Sequence, residues 1–323
     1  MHVTLPVWLL TLGVILAVFL IDLAVVSRRP HRPSTRESTR WVLFYISLAL
    51  LFGLGVGVVS GRPYAGQFFA GWLTEYSLSL DNLFVFVLIM SRFRVPEANQ
   101  RTVLVVGILL ALVFRGIFIA VGAAMIARFS WVFYLFGAFL VWTAIALARQ
   151  GEEPDEYTEN AFLRMVRRAV PTAPDFDGVR LRTVVDGRRL FTPMLIVMVA
   201  LGSTDLLFAL DSIPAIFGLT QEPYLVFAAN AFALMGLTQL YFLLGGLLDR
   251  LVFLGYGLAV VLGFIGIKLV FEAMHTNTLP FVNGGASVEW APEISTATSL
   301  AVIASVLAVT AAASLLHTRR HAA

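Results

Sequence analysis

The chain has 323 residues, 59% of them hydrophobic and 13% charged, with a formal net charge of +3 and a mean hydropathy of +0.86. A soluble domain carries about 25% charged residues, so the composition excludes a soluble enzyme and predicts an all-α, polytopic bundle of membrane helices in a single transmembrane domain, 1–323. Cysteine is absent, which removes disulfides, thiolate metal sites and thiol redox chemistry, and with Lys268 the sole lysine there is no Walker-type phosphate loop.

Apolar runs of about 20 residues predict nine spans. Span 1, at 5–26, has no basic residue ahead of it and is too long for the apolar core of a signal peptide. Asp22 near its end lies one turn from Arg28 and Arg29, which suits an interfacial ion pair or an ion-entry role. Span 2 covers 41–60 and span 3 covers 67–91. Within span 3 the stretch "TEYSLSLDN" carries Glu75 and Asp81, with Thr74 and Asn82 beside them. Span 4, 102–124, holds a single deep base, Arg115, and span 5 covers 130–148.

The sizeable polar segment is 149–192. It opens on an acidic cluster, Glu152 to Glu159, read as a solvated linker, with a weak metal sensor as the alternative. "NAFLRMVRRAV" then sets Phe162, Leu163 and Val166 against Arg164, Arg167 and Arg168, the pattern of a short interfacial helix. "VRLRTVVDGRRLF" alternates about Asp186-Gly187 and predicts a β-hairpin.

Span 6, 193–216, contains "TDLLFALDS", with Asp205 and Asp211 flanked by Thr204 and Ser212. Pro214 removes the N–H that would satisfy the Leu210 carbonyl, so it either kinks the span or frees an oxygen beside Asp211 for a hard cation. Met194 and Met198 share the Asp205 face and read as packing. Span 7, 223–247, carries Asn230 and Gln239, neutral ligands or interhelical hydrogen bonds. Span 8, 252–274, carries Lys268 with Glu272 one turn on and His275 at its end, a capping or gate residue. The segment 275–296, with "NGG" and two prolines, reads as a loop before span 9 at 297–316.

Arginines cluster after spans 1, 3, 5, 7 and 9, all on one side, while the other side has Arg62 and Arg128. The positive-inside rule then puts the N-terminus outside and the C-terminus in the cytoplasm of a plasma (inner) membrane, with 149–192 cytoplasmic. Nucleic-acid binding would need these arginines on one solvated face, and they fall instead between apolar runs.

The acidic stretches of spans 3 and 6 share one pattern: Thr, an acid, five residues, Asp, a small polar residue. They run in opposite directions. "FYLFGAFLV" in span 5 resembles "LGYGLAVVL" in span 8, and "FIAVGAAM" in span 4 resembles "FLLGGLL" in span 7, so spans 3–5 and 6–8 read as an inverted repeat. Such repeats place a shared site near the bilayer midplane. A regular helix keeps its two acids about 9 Å apart along its axis, so Asp81 and Asp211 are expected to meet across the pseudo-two-fold with Glu75 and Asp205 one layer away. Two deep bases, Arg115 and Lys268, cannot neutralise four acids, and protons or bound cations must meet the surplus. Oxygen donors suit Mn²⁺, Ca²⁺ or Mg²⁺.

"EYSLSLDNLFVFVLI", "STDLLFALDSIPAIFGLTQEPYLVFAANAFALMGL", "QLYFLLGGLLDRL" and "GLAVVLGFIGIKLV" resemble the blocks of the TerC/Alx family of membrane proteins and cover most of 66–275. The resemblance implies a manganese exporter, proton-coupled, with Glu75, Asp81, Asp205 and Asp211 as ligands; the family is also linked with tellurium resistance and with membrane biogenesis. One departure is Thr238, where the family commonly has Arg, and it removes a further base. The expectation is a secondary transporter rather than an enzyme, without a bound cofactor, its partners being a divalent cation, protons and lipid. The alternatives are a non-transporting scaffold, which would dock a membrane-protein partner, and an indirect role in tellurite resistance. Direct oxyanion transport is disfavoured, since anion sites want Arg, Lys or helix N-termini. Homo-oligomerisation stays open.

Overall fold

The computed structural model describes residues 3–28, 34–129, 131–150, 161–185, 187–244, 252–280 and 282–321, excepting, within helices, the side chains at 22–28, 81, 84, 150, 161–162, 211, 244 and 319–321. The acidic cluster of the 149–192 segment, Asp186 and the side chain of Asp22 therefore lie outside the described residues.

The described elements are α1 (Leu5–Arg28), α2 (Thr35–Ser60), α3 (Arg62–Arg92), α4 (Glu97–Arg128), α5 (Val132–Gln150), α6 (Ala161–Ala169), the strands β1 (Arg182–Val185) and β2 (Arg188–Phe191), then α7 (Pro193–Phe217), α8 (Pro223–Leu234), α9 (Leu237–Leu244), α10 (Leu254–His275) and α11 (Thr296–His321). Eight helical stretches among the described residues are long and apolar enough to cross a membrane, counting α8 with α9 as one; α1 adds a shorter apolar stretch, Leu5–Ile21. The protein is a multi-pass, nearly all-α membrane protein. Several helices outrun their apolar runs because polar ends cap them. The Ser34 hydroxyl accepts from the Glu37 N–H at 3.2 Å to start α2, and Pro63, Pro193 and Pro223 sit in first turns, where a missing N–H costs nothing.

Span 7 is not one helix. It breaks at Met235–Gly236, where Gly236 takes φ +81°, and resumes as α9. A Cβ at Gly236 would stand 2.7 Å from the Tyr45 ring, so α2 packs against the break itself. Gly236→Ala is expected to lower the melting temperature in detergent, since left-handed backbone alone costs a non-glycine residue about 1–2 kcal/mol. An unchanged melting temperature would mean that the break tolerates a right-handed turn. Pro214, by contrast, lies inside an uninterrupted α7. No break follows it.

Burial orders the bundle from centre to rim. The α8–α9 span is apolar on every side, and 89% of its window is buried, against 17% for α11. α3 packs on α7 and α8, and α4 packs on the same two helices. α2 lies outside α3 and α9, presenting Leu51, Val58 and Val59 outward. α5 and α10 form the closest pair. A Cβ on Gly137 would meet Val270 and the Gly266 carbonyl, and one on Gly266 would meet Val141 and the Gly137 carbonyl. These contacts run in opposite order along the two helices, so the pair is antiparallel and reciprocal. The two helices thus meet through equally spaced pairs, Gly137 with Val141 and Gly266 with Val270.

Between α5 and α7 the chain folds as α6 and the hairpin. Leu163 is fully buried where α6 packs on α7, while Arg164, Met165, Arg167 and Arg168 are exposed. β1 and β2 pair antiparallel with Arg182 opposite Phe191 and Val185 opposite Arg188. Asn99 in the first turn of α4 donates to the Gly178 carbonyl at 3.1 Å. That bond places the α3–α4 turn and this segment on one side of the bundle.

Candidate functional site

Four helices deliver polar side chains to one point in the centre of the bundle. α4 supplies Arg115, which is fully buried. Its Nη1 pairs with Glu75 Oε1 of α3. Its Nη2 donates to Asp205 Oδ1 of α7 at 3.2 Å, and its Nε to Oδ2 of the same carboxylate at 3.5 Å. Nη1 also donates to Asn230 Oδ1 of α8 at 3.4 Å. Asn82, with its amide oriented so that the nitrogen donates to the Leu78 carbonyl at 3.2 Å, accepts from Nη2 at 3.3 Å.

A guanidinium is suited to this position because its planar fork offers five donors and engages a carboxylate through two parallel bonds. One guanidinium nevertheless faces two carboxylates. The triad of Glu75, Arg115 and Asp205 keeps a surplus negative charge in a region with almost no solvent, where a charge is costly unless paired.

The helices that carry the two acids also bury unmatched oxygens. Thr74, Glu75 and Ser79 are 0% exposed and Ser212 is 1% exposed. Thr74 Oγ1, Ser79 Oγ, Ser212 Oγ and Glu75 Oε2 have no hydrogen-bond partner, and neither does the Nδ2 of Asn230. Thr204 is buried too, whereas the Ser77 hydroxyl is spent on the Leu73 carbonyl of its own helix at 2.8 Å. Buried polar groups are ordinarily satisfied, and a cluster that is not invites a water or a cation.

Of the predicted site residues, Glu75, Asp205, Asn82, Asn230 and Arg115 thus come together, with Thr74 and Ser212 buried on the same two helices. Glu75 and Asp205, expected one layer away from Asp81 and Asp211, both reach Arg115. The side chains of Asp81 and Asp211 lie outside the described residues. No group of three or more His, Asp or Glu side chains occurs among the described residues. Lys268 does not join the cluster. It is half-buried on α10, under the influence of Glu272, whose carboxylate also accepts from Gln221 at 3.2 Å. Arg115 is therefore the counter-charge of the described cluster, and Lys268 is not. Met194 is fully buried in the apolar core, with Met198 packed against it. The His275 Nε2 is buried and unpartnered at the end of α10.

Sequence reasoning named Arg115 but did not see that it takes acids from both repeated stretches at once. A lone arginine amid "LVFRGIF" was the available signal. Gln239, named with Asn230 as a neutral ligand or an interhelical hydrogen bond, is fully buried on α9 with both amide atoms unpartnered.

The chain is similar to several curated membrane proteins. It is 49% identical over 320 residues to an uncharacterized membrane protein of Mycobacterium tuberculosis, covering 98% of this chain and 80% of that one. It is 41% identical over 312 residues to an uncharacterized membrane protein of Myxococcus xanthus, covering 97% and 92%. To the Escherichia coli K12 protein Alx, whose name describes it as a membrane-bound redox modulator, it is 38% identical over 268 residues, covering 80% and 84%. No solved structure matches it. The family model described as integral membrane protein TerC family matches residues 60–322, a stretch that holds every side chain of the Arg115 cluster. The chain belongs to the TerC family of integral membrane proteins.

Proposed function

We propose that this protein is a secondary transporter that exports a hard divalent cation, Mn²⁺ first among the candidates, in exchange for protons. The observation that carries this reading is the convergence of Glu75 and Asp205 on the fully buried Arg115, one positive group for two acids, with unpartnered oxygens buried on the same two helices. Oxygen donors of this kind bind Mn²⁺, Ca²⁺ or Mg²⁺, and a carboxylate oxygen that holds a metal can instead hold a proton, so the two can replace each other. Asp81 and Asp211, six residues along the same helices, are the further candidate ligands, and the four acids need not all hold one ion.

The packing supports an inverted repeat of α3–α5 with α7–α10. Exchanging α3 with α7, α4 with α8 and α5 with α10 turns the α3–α8 contact into the α7–α4 contact, and both are extensive. The reciprocal Gly137 and Gly266 contacts are what a two-fold axis between α5 and α10 produces. Rocking of one half against the other about the central site would give alternating access. The membrane is the plasma (inner) membrane, with the N-terminus outside and the arginine-rich side, which carries the α3–α4 turn and α6, in the cytoplasm. The chain has no cysteine, so a redox role shared with Alx would not run through thiols of its own.

Everted membrane vesicles test the proposal. Wild-type vesicles are expected to accumulate Mn²⁺ when a pH gradient is imposed, with Ca²⁺ and Mg²⁺ run in parallel. Asp81→Asn, Asp211→Asn and Glu75→Gln are each expected to reduce that uptake at least about tenfold at normal membrane levels of protein. Wild-type uptake by all three variants sinks the reading.

A further inference from the structure

We propose that Arg115 is the resident counter-cation of the ion site, occupying Glu75 and Asp205 when no metal is bound and giving them up when metal arrives. This rests on the transport reading above and adds how the site is held closed between cargoes.

Charge and geometry both argue for it. The guanidinium already takes both described carboxylates, Glu75 through Nη1 and Asp205 through Nη2 and Nε. A dication at the same oxygens would leave two positive groups sharing two negative ones in a nearly dry space, so the two occupants exclude each other. Arginine keeps its charge at any pH the cell reaches, so it competes whether or not the acids are protonated. A lysine could lose its proton on burial and cease to compete.

The structure also supplies somewhere for the displaced guanidinium to stay. Asn230 Oδ1 on α8 and the Asn82 amide oxygen on α3 are neutral acceptors that already touch it, at 3.4 and 3.3 Å. They can keep two of Arg115's donors hydrogen-bonded after the carboxylates turn to the metal, and the charge left without an anion is what drives the guanidinium back. When the metal leaves, the guanidinium returns to the acids and opposes rebinding. Arg115 is on this view a positioning residue for exchange and not a metal ligand.

The test is Mn²⁺ binding to the purified full-length protein in detergent by calorimetry, alongside vesicle uptake. Arg115→Gln keeps a polar side chain and removes the competitor. It is expected to bind Mn²⁺ at least about tenfold tighter than wild type and to transport it more slowly, because release loses its opposing cation. A purely structural role for Arg115 predicts the opposite sign, weaker binding. Arg115→Lys keeps a base at this position but loses the fork and the permanent charge, and it is expected to fold as wild type does and to bind Mn²⁺ severalfold tighter. Arg115→Lys therefore decides the matter even if Arg115→Gln does not fold. Affinity equal to or weaker than wild type in the folded variants overturns the proposal while leaving the transporter reading standing. Absence of Mn²⁺, Ca²⁺ and Mg²⁺ binding and uptake in the wild type brings down both.

Discussion

Neutralising both Glu75 and Asp205 is expected to destabilise the protein far more than the sum of neutralising each. Glu75→Gln leaves Arg115 facing Asp205, a one-to-one pair with two hydrogen bonds, and Asp205→Asn leaves it facing Glu75. Each single change removes the surplus negative charge of the triad, and the new amide oxygen can still accept from the guanidinium. The single variants should therefore stay within about 1 kcal/mol of wild type, the scale of a typical net hydrogen bond. The double variant strands a fully buried guanidinium among neutral groups, which costs about 3–5 kcal/mol when a buried pair loses one partner. Adding Arg115→Met to the double variant should recover much of that loss, since no charge then remains unpaired. Thermal unfolding in detergent of the two singles, the double and the triple forms a closed cycle whose coupling can be read directly. A double variant as stable as the singles would show that Arg115 has found another anion, and Asp81 and Asp211 would be the residues to neutralise next.

The same arithmetic explains why the site was only partly legible in the sequence. Hydropathy marked the spans because a bilayer admits few backbones other than helices, and Gly187 marked the turn between β1 and β2 because few residues take the positive φ found there. The repeated spacing of acids in "TEYSLSLDN" and "TDLLFALDS" stood out because carboxylates are rare and costly in apolar runs. Which acids would meet was another matter. Spacing along each helix says how far apart Glu75 and Asp81 lie, and not which of them faces a partner on another helix. That depended on where α4 crosses, and α4 announces itself only by Arg115. The break at Gly236 was hidden for a different reason. "ALMGLTQL" is apolar on both sides of the glycine, so the hydropathy trace passes through it unchanged. The close contact of α5 with α10 was not legible because two glycines four residues from two valines look unremarkable until their backbones touch.

Those glycines support the second large effect. Gly266→Ala is expected to destabilise the protein by about 1–3 kcal/mol or more, the usual cost of overpacking a filled interior. Gly263→Ala, one turn away on the same helix, is expected to be neutral or mildly stabilising. The contrast isolates backbone contact from helix propensity, because alanine in place of glycine favours any helix interior by about 1 kcal/mol. At Gly263 the added methyl meets the Ala144 Cβ at 3.6 Å, an ordinary contact. At Gly266 it meets the Gly137 carbonyl and the Val141 nitrogen at 3.0 Å each and a Val141 methyl at 2.9 Å, and two of those three atoms are backbone that no rotamer change can move. Gly137→Ala meets the Gly266 carbonyl at 2.8 Å and the Val270 nitrogen at 3.1 Å, so it should cost a similar amount. Such close approach is how membrane helices gain packing where lipid offers no hydrophobic drive between them. Combining the two alanines should cost less than the sum of the singles, because once the helices have been pushed apart by one methyl the second enters space already opened. Strict additivity, or a Gly266→Ala protein that melts with the Gly263→Ala control, would mean that α5 and α10 do not share a single reciprocal contact, and the two-fold relation proposed for the halves of the bundle would lose its firmest support.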